Sequence, residues 1–318
     1  MKFLSMAVSL VVAVFALAII LGGPTPAPPM ASINEPFKFV DFTDLPALQN
    51  YTAKDGAVLA YRQYQPKDVA PQGSVVLIHG SSASSNSMHV LAKAFAKGGF
   101  SAYAMDVRGH GASAPKGTIQ YVGQLEDDLE AFMQAVSIKQ PSTLVGFSSG
   151  GGFALRFAAS DRQALFQSYL FMSPFIHQDA ANAQPDNGWG HVGIPRIVAI
   201  SILSQVGITA FNDLPVVNFA LDAAAKKILT PEYSYTLATN FRLPNDYKSA
   251  IRKIHQPSAV LAGKDDELFQ TDKLDMIFRG EGQNWPVTLL PGVGHIPLTL
   301  KPDAVLEAVN MVKQLQVK

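Results

Sequence analysis

The chain contains no cysteine among its 318 residues. Disulfides, thiolate metal sites and a cysteine nucleophile are therefore excluded, as is acylation of a lipoprotein-type cysteine. No compartment is excluded, since many exported proteins do without disulfides.

The chain also carries no net charge, because the 25 Lys and Arg residues balance the 25 Asp and Glu residues. This balance gives no reason to expect nucleic acid or a strongly charged partner.

Charged residues are scarce, at 16% of the chain, whereas 48% of the residues are hydrophobic. A large core is therefore possible and disorder is disfavoured. The length suits one large α/β domain with an insertion, or two ordinary domains.

No pair of histidines has metal-ligand spacing with a carboxylate, and the glycines at 150–152 lack the Gly-Lys-Ser/Thr of a phosphate loop. We therefore expect neither a catalytic metal nor a cofactor.

The N-terminal part of the chain is a long apolar run, which covers residues 3–21 behind Lys2. At about 1.5 Å per helical residue, this run can cross a hydrocarbon core of roughly 30 Å. It predicts a transmembrane anchor over residues 1–23, with a cleaved signal peptide as the alternative. Lys2 favours a cytoplasmic N-terminus. The rest of the chain is therefore expected to be membrane-anchored on the exported side, or secreted if the signal is cleaved.

Prolines are concentrated directly after this run, at positions 24, 26, 28 and 29. Such a stretch adopts a stiff, extended conformation. It predicts a spacer over residues 24–50 and a folded domain over residues 51–318.

Short apolar runs alternate with segments of helical periodicity in the predicted domain. Asp55-Gly56 lies between two β-prone stretches and predicts a hairpin. Buried strands are predicted at residues 74–78, 100–105, 143–147, 168–172, 258–262 and 286–290. Their alternation with helices predicts a mainly parallel sheet with helices on both faces. The connection at about 175–250 is too long for a loop and predicts a helical cap, in which Pro195 begins a helix.

One of these strands runs into the sequence Gly146-Phe147-Ser148-Ser149-Gly150 and is followed by a helix-prone stretch. This pattern predicts a sharp strand–turn–helix in which Ser148 has strained backbone geometry. Strand and helix pack closely at such a turn, so the positions two residues before and after the serine require glycine. Gly146 and Gly150 meet that requirement for Ser148. For Ser149, the same frame would put Phe147 where glycine is needed.

Two other strand ends carry side chains that could assist a serine. Asp265 and Asp266 follow the strand that ends near Gly263, and His295 follows the last strand. In an open parallel sheet, ligands bind beyond the carboxyl ends of the strands. A hydroxyl, a carboxylate and an imidazole at neighbouring strand ends are the groups required for acyl transfer, because serine needs a base and the base needs an orienting anion.

Five motifs follow the predicted strands in order: Val76-Leu77-Ile78-His79-Gly80, Asp106-Val107-Arg108-Gly109-His110-Gly111-Ala112-Ser113, Gly146-Phe147-Ser148-Ser149-Gly150, Gly263-Lys264-Asp265-Asp266 and Gly294-His295. From about Tyr51 to its end, the sequence thereby resembles the α/β-hydrolase superfamily, in the branch with lysophospholipases, monoacylglycerol lipases and related esterases. The resemblance implies an α/β-hydrolase fold with a cap. It also implies that Ser148 is the nucleophile, His295 the base and Asp266 the acid, with Asp265 as the alternative acid.

An oxyanion intermediate needs two backbone N–H donors. Ser149, at the start of the helix after the nucleophile, is expected to supply one. The residue after His79-Gly80, which is Ser81, is expected to supply the other.

The remaining histidines are interpreted as structural rather than catalytic residues. His79 and His110 lie in the turn motifs and are expected to bond loop backbone. The other four are interpreted as surface or cap residues: His89, His177, His191 and His255.

The function expected from these features is a serine hydrolase that cleaves lipophilic or small carboxylic esters. The expected partners are a small-molecule ester or lipid-like substrate and, through the N-terminal helix, a membrane. Amidase or peptidase activity, other chemistry of a Ser-His-Asp triad, and a non-catalytic binding member of the fold are the alternatives.

Overall fold

An eight-stranded sheet lies at the centre of the computed structural model, which describes residues 2–67, 69–184 and 186–317. The strands of this sheet and of a smaller second sheet are β1 (Leu48–Thr52), β2 (Val58–Tyr64), β3 (Gly73–Ile78), β4 (Phe100–Met105), β5 (Ser142–Phe147), β6 (Ser168–Met172), β7 (Gly190–Val192), β8 (Pro215–Phe219), β9 (Glu232–Ser234), β10 (Ser258–Gly263) and β11 (Val287–Leu290). In the large sheet the order is β1-β2-β4-β3-β5-β6-β10-β11. β2 pairs antiparallel with both β1 and β4, and the other neighbours are parallel.

The α-helices of the described residues are α1 (Lys2–Leu21), α2 (Ala31–Asn34), α3 (His89–Lys97), α4 (Gln124–Ala135), α5 (Ser149–Ala158), α6 (Ile194–Gln205), α7 (Ala225–Ile228), α8 (Tyr235–Asn240), α9 (Tyr247–Arg252), α10 (Leu274–Gly280) and α11 (Pro302–Val317). Every residue of β3, β4, β5, β6 and β10 is buried. Because successive side chains of a strand point to opposite faces, both faces of the sheet are covered. The predicted mainly parallel, α/β architecture is therefore confirmed.

The strand order brings the predicted functional positions to one edge of the sheet. β5 lies between β3 and β6, and β6 pairs with β10, which pairs in turn with β11. Since these strands are parallel, their carboxyl ends lie at the same edge. The segments that follow β3, β5, β10 and β11 therefore converge there.

The cap between β6 and β10 is only partly helical. It contains α6, α7, α8 and α9, but also the antiparallel sheet β7-β8-β9. α6 begins at Ile194, with Pro195 in its first turn as expected. The prediction of a helical cap missed these three strands, and in β8 the β-branched Val216 and Val217 and the aromatic Phe219 favour an extended chain. Val216 and Phe219 are buried, so tertiary packing reinforces that preference.

The N-terminal helix α1 ends on the cap. Arg196 of α6 donates from Nε to the carbonyl of Ile19 (2.7 Å) and from Nη2 to the carbonyl of Ile20 (3.1 Å). These bonds satisfy carbonyl groups that a helix C-terminus leaves unpaired, and a cation is favourable at that end of the helix dipole.

A transmembrane helix over residues 1–23 was expected from the sequence. Among the residues that the structure describes, no helix is both long and apolar enough to cross a membrane. The predicted transmembrane helix is therefore not supported.

The segment at residues 24–50 packs against the domain, which corrects its interpretation as a spacer. Ala27 and Ile33 are buried in the hydrophobic core. The amide of Met30 donates to the carbonyl of Ala220 in the cap (3.0 Å), and Asn34 Nδ2 donates to the same carbonyl (3.0 Å). The prolines stiffen only residues 24–29. The apolar side chains beyond them, which the spacer interpretation ignored, drive packing by leaving water.

This packing predicts different results for two N-terminal truncations. Deletion of residues 1–23 keeps Ala27, Ile33 and the bonds to Ala220, and we expect a folded domain. Deletion of residues 1–44 removes these contacts, and the unfolding free energy is expected to fall by roughly 3 kcal/mol or more, since each fully buried aliphatic side chain contributes about 1.5–3 kcal/mol. Urea denaturation of both proteins measures the difference. Equal midpoints would contradict the packing of this segment.

Candidate active site

The turn between β5 and α5 holds Ser148 in unusual backbone geometry. Its φ of 56° and ψ of −121° lie in a region of backbone conformation that residues other than glycine rarely adopt. The Ser148 amide donates to the carbonyl of Met172 (2.9 Å), and its carbonyl accepts from the amides of Gly152 (3.1 Å) and Phe175 (3.0 Å). Such strain persists only where the surroundings enforce it, and here three backbone hydrogen bonds do so.

Two glycines allow the close approach that this turn requires. A Cβ atom at Gly146 would lie 2.2 Å from the carbonyl oxygen of Gly150. A Cβ atom at Gly150 would lie 2.4 Å from the carbonyl oxygen of His79. Neither position can accept a side chain without backbone movement, so the glycine frame predicted around Ser148 has a steric basis.

Ser148, His295 and Asp266 form one hydrogen-bonded chain. The distance from Ser148 Oγ to His295 Nε2 is 2.9 Å, and the distance from His295 Nδ1 to Asp266 Oδ2 is 2.8 Å. The Asp266 side chain is fully buried, and its Oδ1 accepts the amides of Leu268 (2.9 Å) and Phe269 (3.0 Å). The structure thus brings together the three residues that the sequence predicts.

The alternative acid, Asp265, lies elsewhere. Its side chain is exposed and is not among the hydrogen-bond partners of His295 in the described part of the chain. The next residue, Glu267, was not predicted as a site residue, yet its Oε2 accepts the backbone amide of His295 at 2.9 Å. Its position beside Asp266 in the same strand-end loop is the signal that could have identified it.

The charge state of Asp266 fixes the orientation of the imidazole. Burial raises the pKa of the Asp266 carboxyl, but the charge of His295 and hydrogen bonds from His295 and Leu268 lower it by more, so the pKa lies below its usual value. An ionised carboxylate can only accept, so His295 carries its proton on Nδ1. Nε2 is then free to accept the hydroxyl proton of Ser148.

The predicted oxyanion donors lie beside the nucleophile. A Cβ atom at Gly80 would lie 3.2 Å from Ser148 Cβ, so the loop that carries Ser81 passes directly by the serine. Among the described residues, the amides of Ser81 and Ser149 donate no hydrogen bond. Two unused N–H donors near one hydroxyl are the arrangement that an oxyanion requires.

His79 and His110 bond backbone, as expected of the turn motifs. His79 Nδ1 lies 2.8 Å from the carbonyl of Gly80, and His79 Nε2 accepts the amide of Val107 (3.3 Å). Burial lowers the pKa of both imidazoles, which keeps them neutral near pH 7.

Of the other histidines, His89 differs from its predicted surface or cap position, whereas His177 lies at the start of the cap. His89 lies within the domain, between the Tyr64 hydroxyl (2.9 Å) and Asp44 Oδ1 (3.0 Å). His177 is also buried. Neither hydrogen-bonds to Ser148.

The described residues include no group of three or more His, Asp or Glu side chains that could hold a metal ion. That the protein uses neither a catalytic metal nor a cofactor stays a prediction.

Comparison with known protein families identifies the family to which this site belongs. Residues 69–299 match the profile of a family described as serine aminopeptidase, S33. The chain belongs to this family. The matched region holds Ser148, Asp266, His295 and both predicted oxyanion donors, together with the cap.

Relatives of this S33-family chain include esterases and lipases. It is 31% identical over 116 residues to a monoacylglycerol lipase of Mycolicibacterium smegmatis, an alignment covering 35% of this chain and 40% of that protein. It is 25% identical over 240 residues to the bifunctional esterase/perhydrolase DCH of Acinetobacter calcoaceticus, covering 68% and 82% of the two chains. The aligned region thus spans about two-fifths of the lipase.

A soluble variant of monoglyceride lipase from Saccharomyces cerevisiae, solved in complex with a substrate analog, has the same fold. The TM-score is 0.63 at 21% identity, over 85% of this chain and 94% of that one. These comparisons identify the S33-family chain as an α/β-hydrolase resembling monoacylglycerol lipases and related esterases.

A cavity of about 350 Å³ opens onto Ser148 and His295. One wall comes from the cap, and another comes from the N-terminal segment, which lies outside the region that matches the S33 family. The apolar lining from these two walls includes Ile33, Phe37, Phe42, Leu221, Ile228 and Leu229. The sequence analysis missed the N-terminal contribution. The signal was available, because a solvated spacer has no need of an isoleucine and several phenylalanines within ten residues.

Proposed function

We propose that the protein is a serine hydrolase that cleaves lipophilic carboxylic esters through an acyl-enzyme on Ser148. The observation that carries this proposal is the unbroken chain from Ser148 Oγ through His295 to the buried Asp266, with bonds of 2.9 and 2.8 Å. A serine hydroxyl is a weak nucleophile unless a base is within reach, and this geometry supplies an oriented base.

The reaction has two steps. His295 Nε2 takes the hydroxyl proton as Ser148 Oγ attacks the ester carbonyl, and the amides of Ser81 and Ser149 stabilise the negative oxygen. His295 then gives that proton to the leaving alcohol, and the carbonyl–oxygen bond breaks to leave the acyl-enzyme. In the second step, water gives a proton to His295 and attacks the acyl group, and the proton returns to Ser148 as the acid leaves.

The lining of the cavity favours an apolar ester over a peptide with a free amino terminus. An aminopeptidase needs a carboxylate to receive the α-ammonium group of its substrate. Among the described lining residues, Asp222 is the only carboxylate, and its Oδ1 already accepts the backbone amides of Ala224 (2.9 Å) and Ala225 (2.7 Å). The apolar residues of both walls are suited to an acyl chain.

The nucleophile is tested with a fluorophosphonate probe and a panel of p-nitrophenyl esters of graded chain length. We expect the wild-type protein to be labelled and to hydrolyse the esters. Ser148→Ala should abolish labelling and lower kcat by about 10⁴-fold or more. Ser149→Ala is the control, because its donor is the backbone amide and remains. Labelling of Ser148→Ala equal to wild type would disprove the assignment.

The same panel separates the two candidate acids. Asp266→Asn should lower kcat by about 10⁴-fold, because the amide no longer holds His295 in the required tautomer. Asp265→Asn alters an exposed side chain, and we expect kcat within about two-fold of wild type. The reverse order of the two effects would assign the acid to Asp265.

A second comparison, of esters with the corresponding amides, tests the alternative activity. Hydrolysis of amides rather than esters would favour the amidase alternative.

Phe37 is expected to limit the acyl group that the cavity accepts. Phe37→Ala removes part of the N-terminal wall, and we expect kcat/KM for the preferred ester to fall about ten-fold, with the optimum moving to longer chains. Phe39→Ala is the matched control, because Phe39 is 88% exposed and does not line the cavity. An unchanged chain-length optimum in Phe37→Ala would contradict this role.

We also propose that residues 1–23 attach the hydrolase to a membrane, with residues 51–318 on the exported side. The support is the charge of Lys2 ahead of the apolar run, and the apolar side chains that α1 exposes, which include Leu10, Leu17 and Leu21. Fractionation of cells is expected to recover the full chain with membranes and the chain lacking residues 1–23 as soluble protein. Identical distributions would disprove membrane attachment through this segment.

A further inference from the structure

The loop that carries Ser81 is hydrogen-bonded to the cap through its next residue, Ser82. The Ser82 amide donates to the hydroxyl of Tyr233 (2.7 Å), and Ser82 Oγ donates to the carbonyl of Thr230 (2.6 Å). The Ser82 carbonyl accepts the amide of Thr230 (2.9 Å). All the hydrogen-bonding groups of Ser82 are thus engaged by two cap residues. Ser82 has a φ of 67°, which is strained for a serine and needs such contacts to persist.

Tyr233 belongs to a continuous series of hydrogen bonds that runs from Arg108 through His110 to Ser82. His110 Nδ1 lies 3.2 Å from the carbonyl of Arg108, which fixes the ring proton on Nδ1. His110 Nε2 can then only accept, and it receives the hydroxyl proton of Tyr233 at 2.6 Å. The hydroxyl oxygen is left to accept the amide of Ser82. The direction of every bond is therefore determined.

Tyr233 is itself held rigidly. It is 3% exposed, and its ring packs against those of Phe219 (4.7 Å between centroids) and Phe241 (5.5 Å). Its hydroxyl thus has a fixed position relative to the sheet edge at His110. A second cap residue, Trp189, donates from Nε1 to Ser81 Oγ at 2.8 Å. Cap residues therefore hold both the side chain of Ser81 and the backbone that follows it.

We propose that Tyr233 is a positioning residue for the oxyanion site: its hydroxyl fixes Ser82, and through Ser82 the backbone amide of Ser81, the expected oxyanion donor. The inference rests on the proposed serine hydrolase function. It gives the cap a part in stabilising the transition state, in addition to lining the cavity. Donors that are already in place at the moment of reaction stabilise the oxyanion most strongly, so a small displacement of Ser81 costs rate without weakening ester binding.

Tyr233→Phe tests this role because it removes the hydroxyl and keeps the ring. We expect kcat for a p-nitrophenyl ester to fall about ten-fold, a fraction of the 10²–10³-fold loss that follows removal of a whole oxyanion donor. KM should change by less than about two-fold. The affinity for a trifluoromethyl ketone, which forms a tetrahedral oxyanion on the serine, should fall by the same factor as kcat.

Tyr235→Phe is the matched control. Tyr235 is a tyrosine of the same cap, and its hydroxyl accepts Ser201 Oγ at 3.1 Å, away from the loop at Ser81. We expect its kcat, KM and ketone affinity to match those of wild type. A role for Tyr233 that is only structural would lower the amount of folded enzyme and leave the constants of the remaining enzyme unchanged.

Titration of Ser148 with a fluorophosphonate separates these outcomes, because kcat is then expressed per reactive site. Wild-type kcat and ketone affinity per titrated site in Tyr233→Phe would overturn the inference, as would an equal loss in Tyr235→Phe. Failure of the proposed function would look different, since the wild-type protein itself would then neither react with the probe nor hydrolyse the ester.

Discussion

The strained backbone at Ser148, with its positive φ, is the constraint on which the rest of the site depends. It lifts the hydroxyl clear of the sheet, and two glycines make it possible, because no side chain would fit at Gly146 between β5 and α5 or at Gly150 between α5 and the end of β3. The hydrogen bonds of the Ser148 backbone to Met172 at the end of β6 and to Phe175 beyond it tie this conformation to the neighbouring strand. The nucleophile is thus positioned by the packing of the sheet core, and His295 reaches it from a strand end whose place the same sheet determines.

The site divides into parts with different physical origins. The triad stands on strand ends of the sheet, where burial and backbone pairing leave little freedom. The oxyanion loop and the cavity walls depend instead on the cap and on the N-terminal segment, which meet the sheet edge through hydrogen bonds and apolar contacts. The sheet therefore holds the triad, whereas the proposed oxyanion loop and the cavity walls rest on an outer layer that includes residues outside the family match.

Sequence reasoning succeeded where the determinants are local. Apolar runs such as residues 100–105 and 168–172 became strands with those bounds, because burial on both faces requires an uninterrupted apolar run. Ser148, Asp266 and His295 were found because short motifs mark the ends of strands. The reasoning failed where distant parts of the chain decide the structure. Strand β8 forms against other cap strands, and Asn34 of the N-terminal segment bonds to Ala220, 186 positions away. Local composition can show that these segments are extended or apolar, but it cannot show which distant residues they pack against.

The bond from Asn34 to the carbonyl of Ala220 closes a loop in which the two residues are 186 positions apart. During synthesis, the segment at residues 24–50 is made before its partner in the cap, which follows six of the eight strands of the large sheet. Contacts of such long range are costly to close and form late. Ile33 and Phe37 therefore stay exposed to water through most of translation, and the substrate cavity is among the last features of the domain to be assembled.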